Sequence, residues 1–176
     1  MSAAPVTVGP PHLVVLVGPP GAGKSTVGRM LAARSGLPFR DTDTDVETAQ
    51  GRSIAELFVD EGEAYFRDLE RAAVAAALRE HSGVLAVGGG AVLDEGTRTE
   101  LQGCRVVFLD VGLSEATRRV GLSGARPLLL GNVRGRLKAL LDARRPLYAQ
   151  VATLTVSTDD KTPEQVVDEL VAGIGR

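Results

Sequence analysis

The segment Gly18-Pro19-Pro20-Gly21-Ala22-Gly23-Lys24-Ser25-Thr26 follows an apolar run, Leu13-Val14-Val15-Leu16-Val17, and precedes a helix-like stretch from Val27 to Arg34. It fits the pattern G-x-x-x-x-G-K-[ST]. Glycines let the main chain wrap closely around an anion, so that its N–H groups and the N-terminus of the next helix point at the charge. In such a loop Gly21, Ala22, Gly23, Lys24, Ser25 and Thr26 surround the phosphates. Lys24 supplies a point charge for the β- and γ-phosphates, and the Ser25 hydroxyl is a ligand for Mg²⁺. The chain has three lysines in all (Lys24, Lys138, Lys161), and one of them stands at this position in a strand–loop–helix context. The chemistry is nucleotide phosphate binding, with the acceptor still open.

Positioning such a loop takes a strand before it and a helix after it, and the rest of the chain repeats that alternation. Further apolar runs are Val84-Leu85-Ala86-Val87, Val106-Val107-Phe108-Leu109, Leu154-Thr155-Val156 and the short Leu37-Pro38-Phe39-Arg40. Continuous apolar runs suit strands buried on both faces of a parallel sheet. Between them, Thr44-Asp45-Val46-Glu47 and Ser53-Ile54-Ala55-Glu56 read as capping boxes, and Thr162-Pro163-Glu164-Gln165 adds Pro at the first helical position. Residues 63–80 have high helix propensity. The expectation is an α/β fold, a parallel sheet of about five strands with helices on both faces and right-handed crossovers. Residues 1–11, small and Pro-rich, read as a flexible N-terminal extension, and 12–176 as a single domain.

Composition bounds the partners. The 176 residues carry a net charge of −2, with 44% hydrophobic and 24% charged residues, which is ordinary for a packed domain. Aromatics are 3% and Trp is missing, so stacking platforms for single-stranded nucleic acid are not expected. No apolar stretch is long enough for a membrane span and no secretory signal is visible, so the expected setting is cytoplasmic. Cys104 reads as a small buried residue, and His12 and His81 as turn or surface residues.

Guanine-reading switches carry Asn-Lys-x-Asp, whereas the chain's one Asn, Asn132, precedes Val133. No apolar run ends in the Asp-Glu pair of ABC- or AAA-type ATPases. A small-metabolite kinase fits the size. Five further segments are similar to one such family: Asp41-Thr42-Asp43; Gly62-Glu63-Ala64-Tyr65-Phe66-Arg67-Asp68-Leu69-Glu70; Gly88-Gly89-Gly90; Arg126-Pro127-Leu128-Leu129; and Arg144-Arg145-Pro146-Leu147-Tyr148. In this order and at these distances from the phosphate loop, the chain resembles the shikimate kinases over nearly all of residues 12–173.

The resemblance implies ATP-dependent phosphorylation of the 3-hydroxyl of shikimate, giving shikimate 3-phosphate and ADP on the way to chorismate and the aromatic amino acids. ATP and Mg²⁺ are the implied cofactors, and the implied enzyme is a monomer. Arg67 and Arg144 would hold the substrate carboxylate with their planar donor forks. Gly88, Gly89 and Gly90 would line the acceptor, with a backbone N–H from Gly89. Asp43 would accept from the hydroxyls and take the proton of the attacking one. Asp41 would stand with Ser25 at the metal, and Glu70 would orient Arg67. Arg126, on a lid at about 121–134, would neutralise charge on the transferring phosphoryl group. Arg119 and Pro163 would flank the adenine, and Lys161 stands nearest to where the family often has an Arg before its final helix.

Taken one by one, the same residues have plainer readings. Asp41 and Asp43 suit a solvated turn, Gly88–Gly90 a strand-to-helix turn, and Arg67 a surface pair with Glu63 or Glu70. Arg144 suits a helix C-cap before Pro146. A gluconate-type kinase and a non-catalytic ATP-binding regulatory protein are the alternatives. From Ala116 through Arg145 there are eight basic residues and one acid, Asp142. Without stacking aromatics, that charge points to phosphates and a carboxylated substrate rather than to nucleic acid.

Overall fold

The structure, a computed structural model, describes residues 12–122 and 132–175. The expected N-terminal extension, most of the expected lid and Arg126 therefore lie outside the described residues. Five strands, β1 (Val14–Val17), β2 (Phe39–Asp41), β3 (Val84–Ala86), β4 (Arg105–Asp110) and β5 (Leu154–Ser157), form one sheet in the order β2-β3-β1-β4-β5. Every pairing is parallel. The helices are α1 (Lys24–Ser35), α2 (Thr42–Gln50), α3 (Ile54–Glu61), α4 (Glu63–Glu80), α5 (Glu95–Leu101), α6 (Leu113–Leu122), α7 (Val133–Val151) and α8 (Pro163–Ile174).

Both faces of the sheet are covered, which is why β1, β3 and the middle of β4 are apolar and buried without alternation. The edge strands β2 (Phe39-Arg40-Asp41) and β5 (Leu154-Thr155-Val156-Ser157) are partly polar. Val14 and Leu16 of β1 point into one core layer with α1, α6 and α8, while Val15 and Val17 point into the other with α4 and α5. A third, smaller cluster of Val46, Leu57 and Phe66 ties α2, α3 and α4 together beyond the β2 edge. The Ser53 and Thr162 capping boxes form as read, each with both reciprocal bonds.

One local expectation is corrected and one plainer alternative is ruled out. No cap forms at Thr44: α2 begins at Thr42, and Asp41, the last residue of β2, is its N-cap. The reason is geometric. Pairing with β3 holds Asp41 extended, and its carboxylate accepts the Asp43 N–H at 2.9 Å. Nor does a helix end before Pro146, because α7 continues through it to Val151. Arg144 is thus an interior helical residue, 7% exposed, and not a C-cap.

Candidate active site

The carboxyl ends of β1, β2 and β3 converge on one crevice, where ligands of open α/β sheets bind. After β1, the loop turns through Gly21 (φ 82°) and Gly23 (φ 86°), left-handed conformations that glycine alone adopts without strain. Gly23 is also the N-cap of α1 and supplies no side-chain acceptor for the first turn of N–H groups. Those donors and the helix dipole are thereby aimed at an anion. Lys24 Nζ bonds the carbonyls of Gly18 (2.7 Å) and Pro19 (3.1 Å), which keeps the ammonium over the loop. A cleft of about 340 Å³ opens here, lined by Gly21, Gly23, Lys24, Ser25 and Thr26 on one side and Asp41, Asp43 and Gly89 on the other.

Ser25 Oγ donates to Asp41 Oδ2 at 2.6 Å, joining the phosphate loop to the end of β2. Among the described residues no group of three or more His, Cys, Asp or Glu side chains could hold a metal. A cation at this spot would rest on one hydroxyl, one carboxylate, and oxygens of phosphate and water. That hard, oxygen-only, incomplete set is what Mg²⁺ takes, so the residues fit it.

A second cavity of about 270 Å³ continues past the loop, lined by Ala22, Gly23, Thr26, Arg119, Thr158, Lys161 and Pro163 among others. Arg119 is fixed in its wall: Nη1 donates to Gly21 O (3.0 Å) and Thr158 Oγ1 (3.0 Å), and Nη2 to Thr158 O (3.0 Å). Glu115 accepts from Arg118 and Arg119, which hold its carboxyl down at about 2. Lys161 lines the same cavity, but its ammonium bonds Ser157 O (2.9 Å) and Glu169 (2.7 Å).

On the acceptor side, the glycine turn after β3 explains its composition by space. A Cβ at Gly88 would lie 2.4 Å from Glu70 Oε2 and 2.7 Å from Asp43 Oδ1. At Gly90 it would lie 2.0 Å from Arg67 Nη1. Asp43 and the buried Glu70 therefore meet over Gly88, and the Arg67 guanidinium lies against Gly90. Glu70 accepts from Arg67 Nη1 at 2.8 Å, and Glu63 takes the other edge of the fork at 3.2 Å. A cavity of about 520 Å³ opens beside Arg67, Glu70 and Gly90. Arg144 is buried beside the Tyr148 hydroxyl, and that hydroxyl donates to Gly89 O at 2.5 Å.

Lys24, Ser25, Asp41 and Asp43 are thus brought together in one cleft, and Arg67, Glu70 and Gly88–Gly90 adjoin it. Ala22, Arg119, Lys161 and Pro163 line the neighbouring cavity, and Arg144, buried against the Tyr148 hydroxyl that holds Gly89, lines none of the three cavities. Sequence reasoning gave no role to Thr42, Glu115, Tyr148 or Thr158. Thr42 and Tyr148 stand inside segments that carry a signal, as the middle of Asp41-Thr42-Asp43 and the end of Arg144–Tyr148. Glu115 and Thr158 carried no sequence signal.

The sequence profile of the family described as Shikimate kinase matches residues 20–174. A shikimate kinase of Salinispora arenicola is 61% identical over 158 residues, 90% of this chain and 95% of the relative. One of Streptomyces coelicolor is 60% identical over 154 residues, 88% of this chain and 90% of the relative. The solved structure of shikimate kinase from Acinetobacter baumannii in complex with shikimate superposes with a TM-score of 0.89 at 35% identity, covering 96% of this chain and 93% of that one. Matched over most of its length by the profile, by these relatives and by that fold, the chain belongs to the shikimate kinase family.

Proposed function

We propose that this protein transfers the γ-phosphoryl group of ATP to the 3-hydroxyl of shikimate, giving shikimate 3-phosphate and ADP for aromatic amino-acid biosynthesis. The observation that carries the reading is the junction over Gly88, where Asp43, facing the phosphate cleft, meets Glu70, which holds Arg67. One small acceptor with a hydroxyl near the phosphates and a carboxylate near the guanidinium would bridge the two sides of that junction.

In this reading the loop residues Gly21–Thr26 bind the phosphates, and Ala22, Arg119, Lys161 and Pro163 form the nucleoside side. Ser25 and Asp41 would hold Mg²⁺, which when bound neutralises phosphate charge. Asp43 orients the attacking hydroxyl and takes its proton as the O–P bond forms and the bond to ADP breaks. Arg67 and Arg144 grip the carboxylate, with Gly88–Gly90 close against the ring. Phosphoryl transfer needs mostly positioning and charge compensation, which assigns Lys24 and Arg126 to the transferring group. Arg126 lies outside the described residues, and its place on a water-excluding lid is part of the same proposal. We assign the enzyme a monomeric state and a cytoplasmic setting; among the described residues no helix is long and apolar enough to cross a membrane.

The test is ADP release with ATP and Mg²⁺ against shikimate, quinate, gluconate and nucleoside monophosphates. Shikimate should exceed every other acceptor. A better rate with gluconate or a nucleoside monophosphate would overturn the substrate assignment, and ATP binding without any stimulated turnover would support a regulatory protein.

A further inference from the structure

Tyr148 is the largest fully buried side chain among the described residues, on α7 and 59 positions from the glycine it touches. Its ring packs on Phe108 with centroids 5.1 Å apart, a role that phenylalanine would fill as well. The hydroxyl is the feature that packing leaves unexplained, since burying one is unfavourable unless it is bonded.

Its bond completes an accounting of the glycine turn. Gly88 O accepts from the Ala91 N–H (3.0 Å) and Gly90 O from the Leu93 N–H (3.1 Å). The Gly88 N–H donates to Thr42 Oγ1 at 3.2 Å. The remaining carbonyl, that of Gly89, is held by Tyr148. Three successive glycines form the most permissive backbone a chain can offer, so each such tie removes a rotation. In a planar trans peptide the carbonyl and the following N–H point in opposite directions. Gripping Gly89 O from the core therefore also directs the Gly90 N–H away from the core. Gly90 is the residue against which the Arg67 guanidinium lies; the Tyr148 hydroxyl is also hydrogen-bonded by the Arg144 side chain, and the charges of Arg144, Glu70 and Arg67 act on it.

We infer that Tyr148 is a positioning residue for the acceptor site: its hydroxyl fixes the Gly89–Gly90 peptide plane and holds the Arg144 side chain, and with them the surface that shikimate meets. The inference rests on the shikimate reading above. Burial pushes the hydroxyl up to about 12, so it remains a donor throughout the neutral range.

The experiment compares Y148F with F108L and the wild type, reading KM for shikimate and KM for ATP separately. Neither KM depends on how much of a variant is folded, so poor yield does not blunt the test. Y148F should raise KM for shikimate about tenfold, the order of one lost hydrogen bond, with KM for ATP unchanged. F108L, which disturbs the packing and keeps the hydroxyl, should lower Tm and leave both KM values near wild type. An unchanged shikimate KM in Y148F, or equal shifts in both KM values, would overturn the positioning role. A wild type that does not turn over shikimate would instead overturn the reading on which it rests.

Discussion

Asp43 and Asp45 lie two residues apart in α2, yet their surroundings differ in kind. Asp45 is bonded by Arg40 Nε at 2.7 Å, and that bond is the main cause of the raised Arg40 pKa. Such a pair is explained by structure alone. Asp43 lines the phosphate cleft, and its Oδ1 approaches Gly88 within the reach of a methyl group. Asp43→Asn should therefore remove nearly all activity while ATP binding persists, because an amide cannot accept the hydroxyl proton. Asp45→Asn should cost at most ~1 kcal/mol of stability and keep kcat. The check is kcat for both variants with ATP affinity by calorimetry. Activity lost in Asp45→Asn but kept in Asp43→Asn would move the acid–base role along the helix.

At the scale of elements, what the sequence made legible was what neighbours decide locally. The Ser53 and Thr162 caps and the span of α4 over Glu63–Glu80 follow from residues within a turn of each other. The start of α2 did not, because Asp41-Thr42-Asp43-Thr44-Asp45 offers several good caps in succession. The choice among them is made by β2, whose last pairing sets Asp41 against Ala86. Ties such as Tyr148 to Gly89 or Arg119 to Thr158, 59 and 39 residues apart, leave no local trace at all. Thr42 joins the two kinds of information. It is fully buried in the first turn of α2, and its hydroxyl receives the Gly88 N–H, so it couples that helix to the glycine turn. Valine has nearly the same shape but leaves the buried donor unpaired, which costs about 1–3 kcal/mol. Thr42→Val should lose that much in urea unfolding, and Thr42→Ser should keep most of it. Equal stability of the two would mean that the Gly88 N–H finds another acceptor.

For the whole molecule, two covered sheet faces leave the carboxyl edge as the place where polar groups gather, and pH acts on the fold through them. Glu115, held at about 2 by Arg118 and Arg119, contributes stability that is present above its ordinary value of 4.5 and lost as pH falls from there toward 2. Tyr148 acts at the other end. An unfolded tyrosine ionises near 10, whereas burial keeps the native hydroxyl protonated to about 12. Between those values the native state binds more protons than the unfolded chain, so stability falls as pH rises through the window. Integrated for one proton from pH 10 to 11, the loss is about 1 kcal/mol. Y148F has no such proton. The stability difference between wild type and Y148F, measured by urea unfolding at pH 8, 10 and 11, should therefore shrink by about that amount over the last step. Parallel curves would mean that the hydroxyl titrates as it does in water, which a side chain buried against Phe108 and bonded to Gly89 does not permit.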